Sequence, residues 1–201
     1  MPPRTPLLHP GEYFDQYDRP SLGVAAGIVA AQAVAFAVLV WWFVTSVLDR
    51  IDAPAAEVSD VQSELVGQAM GLAVTVVIGW LLAAAVIHLF VWFADGDESF
   101  LTTLAVVGEA EIVSFLVLPV VVVVFYSVIG QVPSDPEAAA EFLRGIVGRE
   151  RASLVVASLV ATLWKAYITA AGLVKGQGLD NDTAVLIAFA LGILGFLVGL
   201  A

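Results

Sequence analysis

The 201-residue chain contains no cysteine. Disulfides, thiol nucleophiles and cysteine-ligated metals are therefore excluded. Histidine is nearly as scarce: His9 and His88 are the only two, too few for the usual nitrogen-rich metal sites. Positive charge is sparse, with 8 basic against 19 acidic residues and only two lysines, Lys165 and Lys175. Nucleic acids and anionic headgroups recruit clusters of Lys and Arg, so neither is an expected ligand. The catalytic motifs are missing as well. No His-Glu-x-x-His, Gly-x-Ser-x-Gly or phosphate-cradling glycine loop occurs. The chain reads as non-enzymatic, with no catalytic residue, cofactor or metal.

What the chain has in abundance is apolar length. Hydrophobic residues make up 60% of it, against roughly 45–50% in soluble domains. They gather into five runs at about 22–48, 67–94, 112–130, 152–174 and 183–201. A bilayer core of about 30 Å takes roughly 20 helical residues to cross. A membrane barrel would instead show weaker alternating stretches of about ten residues. The fold class is all-α, a polytopic bundle of five transmembrane helices with short interfacial helices. Residues 1–20 form a polar tail and 21–201 one membrane domain. The tail lacks the features of a cleavable signal, since the apolar run after it far exceeds the 7–15 residues of a signal core. Membrane lipids are the obvious surroundings, with a protein partner or a second copy as further contacts.

The formal charge of −11 with so few lysines matches the acidic surfaces that keep halophilic proteins dissolved in brine. Arginines and lysines are spread almost evenly over the two sets of loops, so the positive-inside rule yields no orientation. Between the second and third runs, Ser99 is a candidate helix N-cap. The mixture of apolar and polar residues in Phe100–Glu111 predicts a separate short helix on the membrane surface. A second amphipathic helix is predicted from Glu137 to about Val147. The last tight turn is expected to be capped by Asn181 or Asp182.

Small residues recur every fourth position on the first two spans: Gly23, Gly27, Ala31 and Ala35, then Gly67, Gly71, Thr75, Gly79 and Ala83. Such stripes allow helix backbones to approach closely, and they are expected to bind the helices of this chain to each other, with homodimerisation as the alternative. Lys165 is the polar residue nearest the middle of a span. Three readings remain open for it: snorkelling toward the Lys175 end, pairing with Glu109 or Glu111, or a place in a transport path. Glu109 and Glu111 lie about 200° apart around a helix and cannot form one coupled pair. With the third span starting near Ile112, both are expected at the water boundary. His88 beside Trp92 and Phe93 fits an interfacial aromatic belt, and Pro119 predicts a kink in the third span.

The stretch from His88 to Pro119 resembles the middle of the Yip domain family. The family pattern there is a helix ending in His-Leu and Phe, a Gly-rich turn, Ser-Phe, a Thr-Leu segment, Val-Gly-Tyr and a later Pro. Pro10, Phe14 and Pro20 before the first span also fit, as do Trp164 and Gly172-Leu173 in the fourth and Ala184 in the fifth. Two departures stand out: Ala94-Asp95 replaces a Gly pair, and Glu109 stands in place of Tyr. The tail motif, here Asp15-Gln-Tyr17-Asp-Arg-Pro20, is distant from the eukaryotic one. The resemblance implies five spans, a cytoplasmic N-terminus, and a scaffold or partner-binding role of the kind eukaryotic members have toward Ypt/Rab-type GTPases. It carries the fold further than it carries GTPase binding. The alternative role is a small transporter or channel component using Lys165 with Glu109 or Glu111.

Overall fold

A computed structural model describes residues 3–16, 20–52, 54–96, 99–149 and 151–200. Tyr17–Arg19 of the tail motif, Asp97 and Glu98 of the second connection, and Ala201 at the end of the fifth run lie outside them. The described residues form α1 (Pro10–Phe14), α2 (Leu22–Leu48), α3 (Ala55–Phe93), α4 (Phe100–Ala110), α5 (Ser114–Ile129), α6 (Pro136–Arg149), α7 (Arg151–Gln177) and α8 (Asn181–Leu200). Five helical stretches are long and apolar enough to cross a membrane: Leu22–Leu48, Val58–Phe93, Phe100–Ile129, Leu154–Gln177 and Asn181–Gly199.

The third stretch is built differently from the surface helix plus span expected. A single 3-10 turn, Glu111–Val113, joins α4 directly to α5. Every residue of α4 from Thr102 to Ala110 is buried, packed among α2, α3, α7 and the tail helix α1. Its polar residues face protein instead of water, although Glu109 keeps one buried oxygen, Oε2, without a hydrogen-bond partner. An amphipathic reading fails for a helix covered on all sides. The helix begins where the sequence indicates, with Ser99 Oγ accepting from Thr102 N.

The small-residue stripes also point away from their expected place. Gly23, Gly27, Ala31, Gly67, Gly71, Thr75, Gly79 and Ala83 are all exposed, and a Cβ on Gly27, Gly67, Gly71 or Gly79 would meet nothing within 4 Å. The close approaches occur at other glycines. A Cβ on Gly108 would lie 2.8 Å from Ala25 Cβ and 2.8 Å from Trp80 Nε1. One on Gly172 would strike Val106 and reach 3.1 Å from Phe14 Cζ, and one on Gly176 would sit 2.8 Å from Thr102 Cγ2. These three glycines let α2, α7 and the tail close around α4. Lipid offers no hydrophobic contrast to drive such contacts, so backbone proximity and dispersion must supply the attraction.

The helix ends follow local chemistry. Asp95, just past α3, has φ +54°, a left-handed conformation in which glycine is the natural residue. Gly96 follows at a point where a Cβ would press within 2.6 Å of Val91. Asp180 caps α8, accepting from Thr183 N at 3.0 Å, one residue earlier than expected. The Thr183 side chain and backbone hold its carboxyl below the ordinary 3.8. The amphipathic α6 seats Ala139 and Phe142 against Val47, Ile129 and Val132, at the far ends of α2 and α5. At 39 residues, α3 is about 58 Å long, well beyond a bilayer core. Its first three turns carry Asp60 and Glu64 out of the connection expected before residue 67. The helix α5 continues through Pro119.

Two glycine substitutions on neighbouring helices should move stability in opposite directions. Gly108→Ala is expected to lose about 1–3 kcal/mol through overpacking. Gly71→Ala should gain about 0.5–1 kcal/mol through helix propensity. Thermal unfolding of the detergent-purified protein measures both; a stable Gly108→Ala protein would contradict the packing described.

Candidate functional site

A chain of polar contacts crosses the bundle near its middle. Gln32 on α2 donates from Nε2 to Ser114 Oγ at 3.1 Å. Ser114 donates in turn to Glu111 Oε2 at 3.0 Å. The ammonium of Lys165 on α7 reaches the same carboxylate oxygen at 2.6 Å. Three elements are thus joined through Glu111, which sits on the 3-10 turn between α4 and α5. Lys165 lies twelve residues from Gln177, about 18 Å along the helix. An unpaired charge at such depth is costly, and a carboxylate supplied by the adjacent span offsets the cost. Of the three readings open for Lys165, the geometry contains the ion pair. Sequence reasoning missed Gln32 and Ser114, and a Gln inside the first apolar run was the one available hint.

Glu109 faces the other way. It is 1% exposed and accepts from Ser21 N at 2.9 Å, beside the tail helix that carries Tyr13. The expected position at the water boundary is wrong for this residue, because α4 is wrapped by the tail. Glu109 ties the start of α2 and the tail helix to α4. Around it, Tyr13 and Phe14 pack with Val106, Ala110, Val113 and Ile168. Trp164 Nε1 donates to Leu7 O at 2.8 Å, and Lys175 pairs with Asp15 at 2.7 Å. The two glutamates therefore serve opposite faces of the bundle, as their spacing requires.

A third polar group lies nearer the α7–α8 turn. Gln177 donates to Ser99 O at 2.8 Å and Thr103 Oγ1 at 2.7 Å, and His88 Nδ1 lies 3.1 Å from the same hydroxyl. His88 is half-buried against α4, edge-on to Phe100, instead of standing in an outward aromatic belt. No group of three or more metal-ligating side chains occurs among the described residues.

Lys165 and Glu111 border a large cavity of about 1320 Å³ between α3, α5, α7 and α8. Their side chains retain 29% and 21% exposure. The helices α3 and α8 meet near the Gln177 end through Val91, Ala184 and Ile187. Toward the other end they stand apart, and the cavity occupies the gap, with Gly79 and Leu82 on one side and Leu194 and Val198 on the other. Apart from the ion pair, the polar lining comes from Ser158, Thr162 and Thr169 of α7.

This arrangement defines a class: a polytopic α-helical membrane protein with buried polar contacts between its helices and one ion pair bordering a cavity among them. The family model for the Yip1 domain matches residues 5–201, and the chain belongs to that family. No curated protein and no solved structure matches it.

If the ion pair is structural, removing one partner should cost more than removing both. Lys165→Met alone is expected to lower thermal stability by stranding Glu111, and adding Glu111→Gln should recover part of the loss. A double-mutant cycle should return a coupling of roughly 0.5–3 kcal/mol. Additive effects would show that the two groups do not depend on each other.

Proposed function

We propose that this Yip1-domain protein is a non-enzymatic membrane scaffold that binds a protein partner through helix–helix contact within the bilayer. The observation that carries the reading is the exposed face of α3. Gly67, Gly71 and Thr75 lie exposed along it, and a Cβ on either glycine would meet nothing within 4 Å. A small-residue face of this kind permits close approach of another helix, and the fold leaves it uncovered while using other glycines for its own packing. A transport path through Lys165, Glu109 and Glu111 draws less support, since Glu109 faces the tail and only Lys165 and Glu111 border the cavity.

A photocrosslinking residue at Gly71, activated in native membranes at high salt, should form an adduct with a second protein. Gly67→Leu should abolish that adduct without lowering thermal stability, because its side chain enters open space. An adduct formed with lipid alone would defeat the scaffold reading, and one formed only with a second copy would replace it with self-association.

For localisation we propose the cell membrane, with the N-terminus cytoplasmic and the C-terminus outside. Topology reporters fused at Pro10 and after Ala201 should give opposite signals; matching signals would overturn the orientation together with the odd number of crossings.

A further inference from the structure

The cavity has a pattern that helix packing alone does not account for. Along α7, Ser158, Thr162, Lys165 and Thr169 all face it. Their spacings of four, three and four residues place them on one stripe of the helix. The opposite wall, from Leu191 to Val198 of α8, is apolar except for glycine backbone. A Cβ on Gly192 would lie 3.5 Å from both Thr162 Cγ2 and Ala166 Cβ, so the ion pair lies near the level of residues 188–192 of α8. From there to Gly199 the cavity runs roughly 15 Å along the helices. Its volume exceeds the roughly 300–1,000 Å³ of ordinary ligand pockets.

At the inner end, the ion pair is electrically neutral as a unit. An ammonium carries three donors, and one of those of Lys165 is committed to Glu111 Oε2. Glu111 Oε2 accepts from both Lys165 and Ser114, which leaves Oε1 for a further donor. A charged head entering this apolar space would arrive without a counter-charge and bear the desolvation cost unrelieved. A hydroxyl has the opposite character. It accepts from the ammonium and donates to the carboxylate, so one uncharged group satisfies both. The rest of the cavity suits a long apolar chain, and the gap between α3 and α8 opens sideways for entry from the bilayer.

We propose that the cavity is a binding site for a long-chain amphiphile with a single uncharged hydroxyl head, the hydroxyl bridging Lys165 Nζ and Glu111 Oε1 from the cavity side and the chain lying between α3 and α8. This site is separate from the exposed Gly67–Thr75 face proposed for a protein partner.

The test uses the full chain purified in detergent, labelled with a diazirine-bearing hexadecanol and, in parallel, with the matching hexadecane. The alcohol should label cavity residues of α7 and α8 at about tenfold lower concentration than the alkane, the scale of one or two lost hydrogen bonds. The double variant Lys165→Met with Glu111→Gln should erase that difference while leaving alkane labelling in place. Gly195 lines the cavity and a Cβ there meets nothing within 4 Å, so Gly195→Phe should fill the site and abolish labelling by both probes. Three results would overturn the proposal. Equal labelling by alcohol and alkane would mean an ordinary lipid chain occupies the space. Stronger competition by palmitate than by hexadecanol would mean the head is charged. Undiminished labelling of Gly195→Phe would place the site elsewhere.

Discussion

Everything in this bundle depends on the enclosure of α4. Nine consecutive residues of one helix are removed from lipid and water together, which requires neighbours on every side at short distance. Gly108, Gly172 and Gly176 make that distance possible, each at a point where a methyl group would collide with an adjoining helix or the tail. The enclosure explains why α4 can carry Thr102, Thr103 and Glu109 at the centre of a membrane protein. Each of these has protein around it, and a buried polar group is tolerable when it is hydrogen-bonded. Trp80 illustrates the economy of the arrangement. Its indole closes over Gly108 while its N–H donates to Leu104 O at 2.9 Å.

The polar residues then divide by face. On the tail side, Glu109 collects Ser21 beside the tail helix, and the tail becomes part of the core instead of an appendage. On the cavity side, Glu111 collects Ser114 and Lys165, and through Ser114 it reaches Gln32. The 3-10 turn at Glu111–Val113 separates the two sides. A buried ion pair is weak evidence for stability, since desolvation can exceed the Coulombic gain. Here the pair keeps partial exposure, and that exposure is directed into a cavity. The position therefore invites a ligand-binding explanation more than a purely structural one.

Family membership and this geometry bear on different questions. The Yip1 match covers residues 5–201 and assigns the family. It does not account for Glu109 in place of the usual aromatic, nor for Asp95 where the resemblance has glycine. The backbone at Asp95 remains left-handed, so the turn is retained without the residue that suits it best. Glu109 accepts a hydrogen bond from Ser21 N, binding the start of the first span to the third.

The apolar runs by themselves determined the class and the five helices long enough to cross a membrane. The mixed pattern from Glu137 to about Val147 foretold the amphipathic helix that the fold extends to Pro136–Arg149. Length and hydropathy are local properties, and a bilayer reads them directly. The spacing of Glu109 and Glu111 likewise determined that they face apart, because helix geometry is local too. Only the tertiary structure decided which glycines are packed and which are bare, since a small-xxx-small pattern records the capacity for close approach and not the neighbour. It also decided the fate of Phe100–Glu111. A mixed helix on a membrane surface and a mixed helix enclosed by protein have similar composition, and what separates them is whether other helices supply the missing hydrogen-bond partners. Gln32, Ser114 and the cavity beside Lys165 belong to the same category. They exist as a site only because residues tens of positions apart are brought within hydrogen-bonding distance, and no periodicity in the chain encodes that proximity.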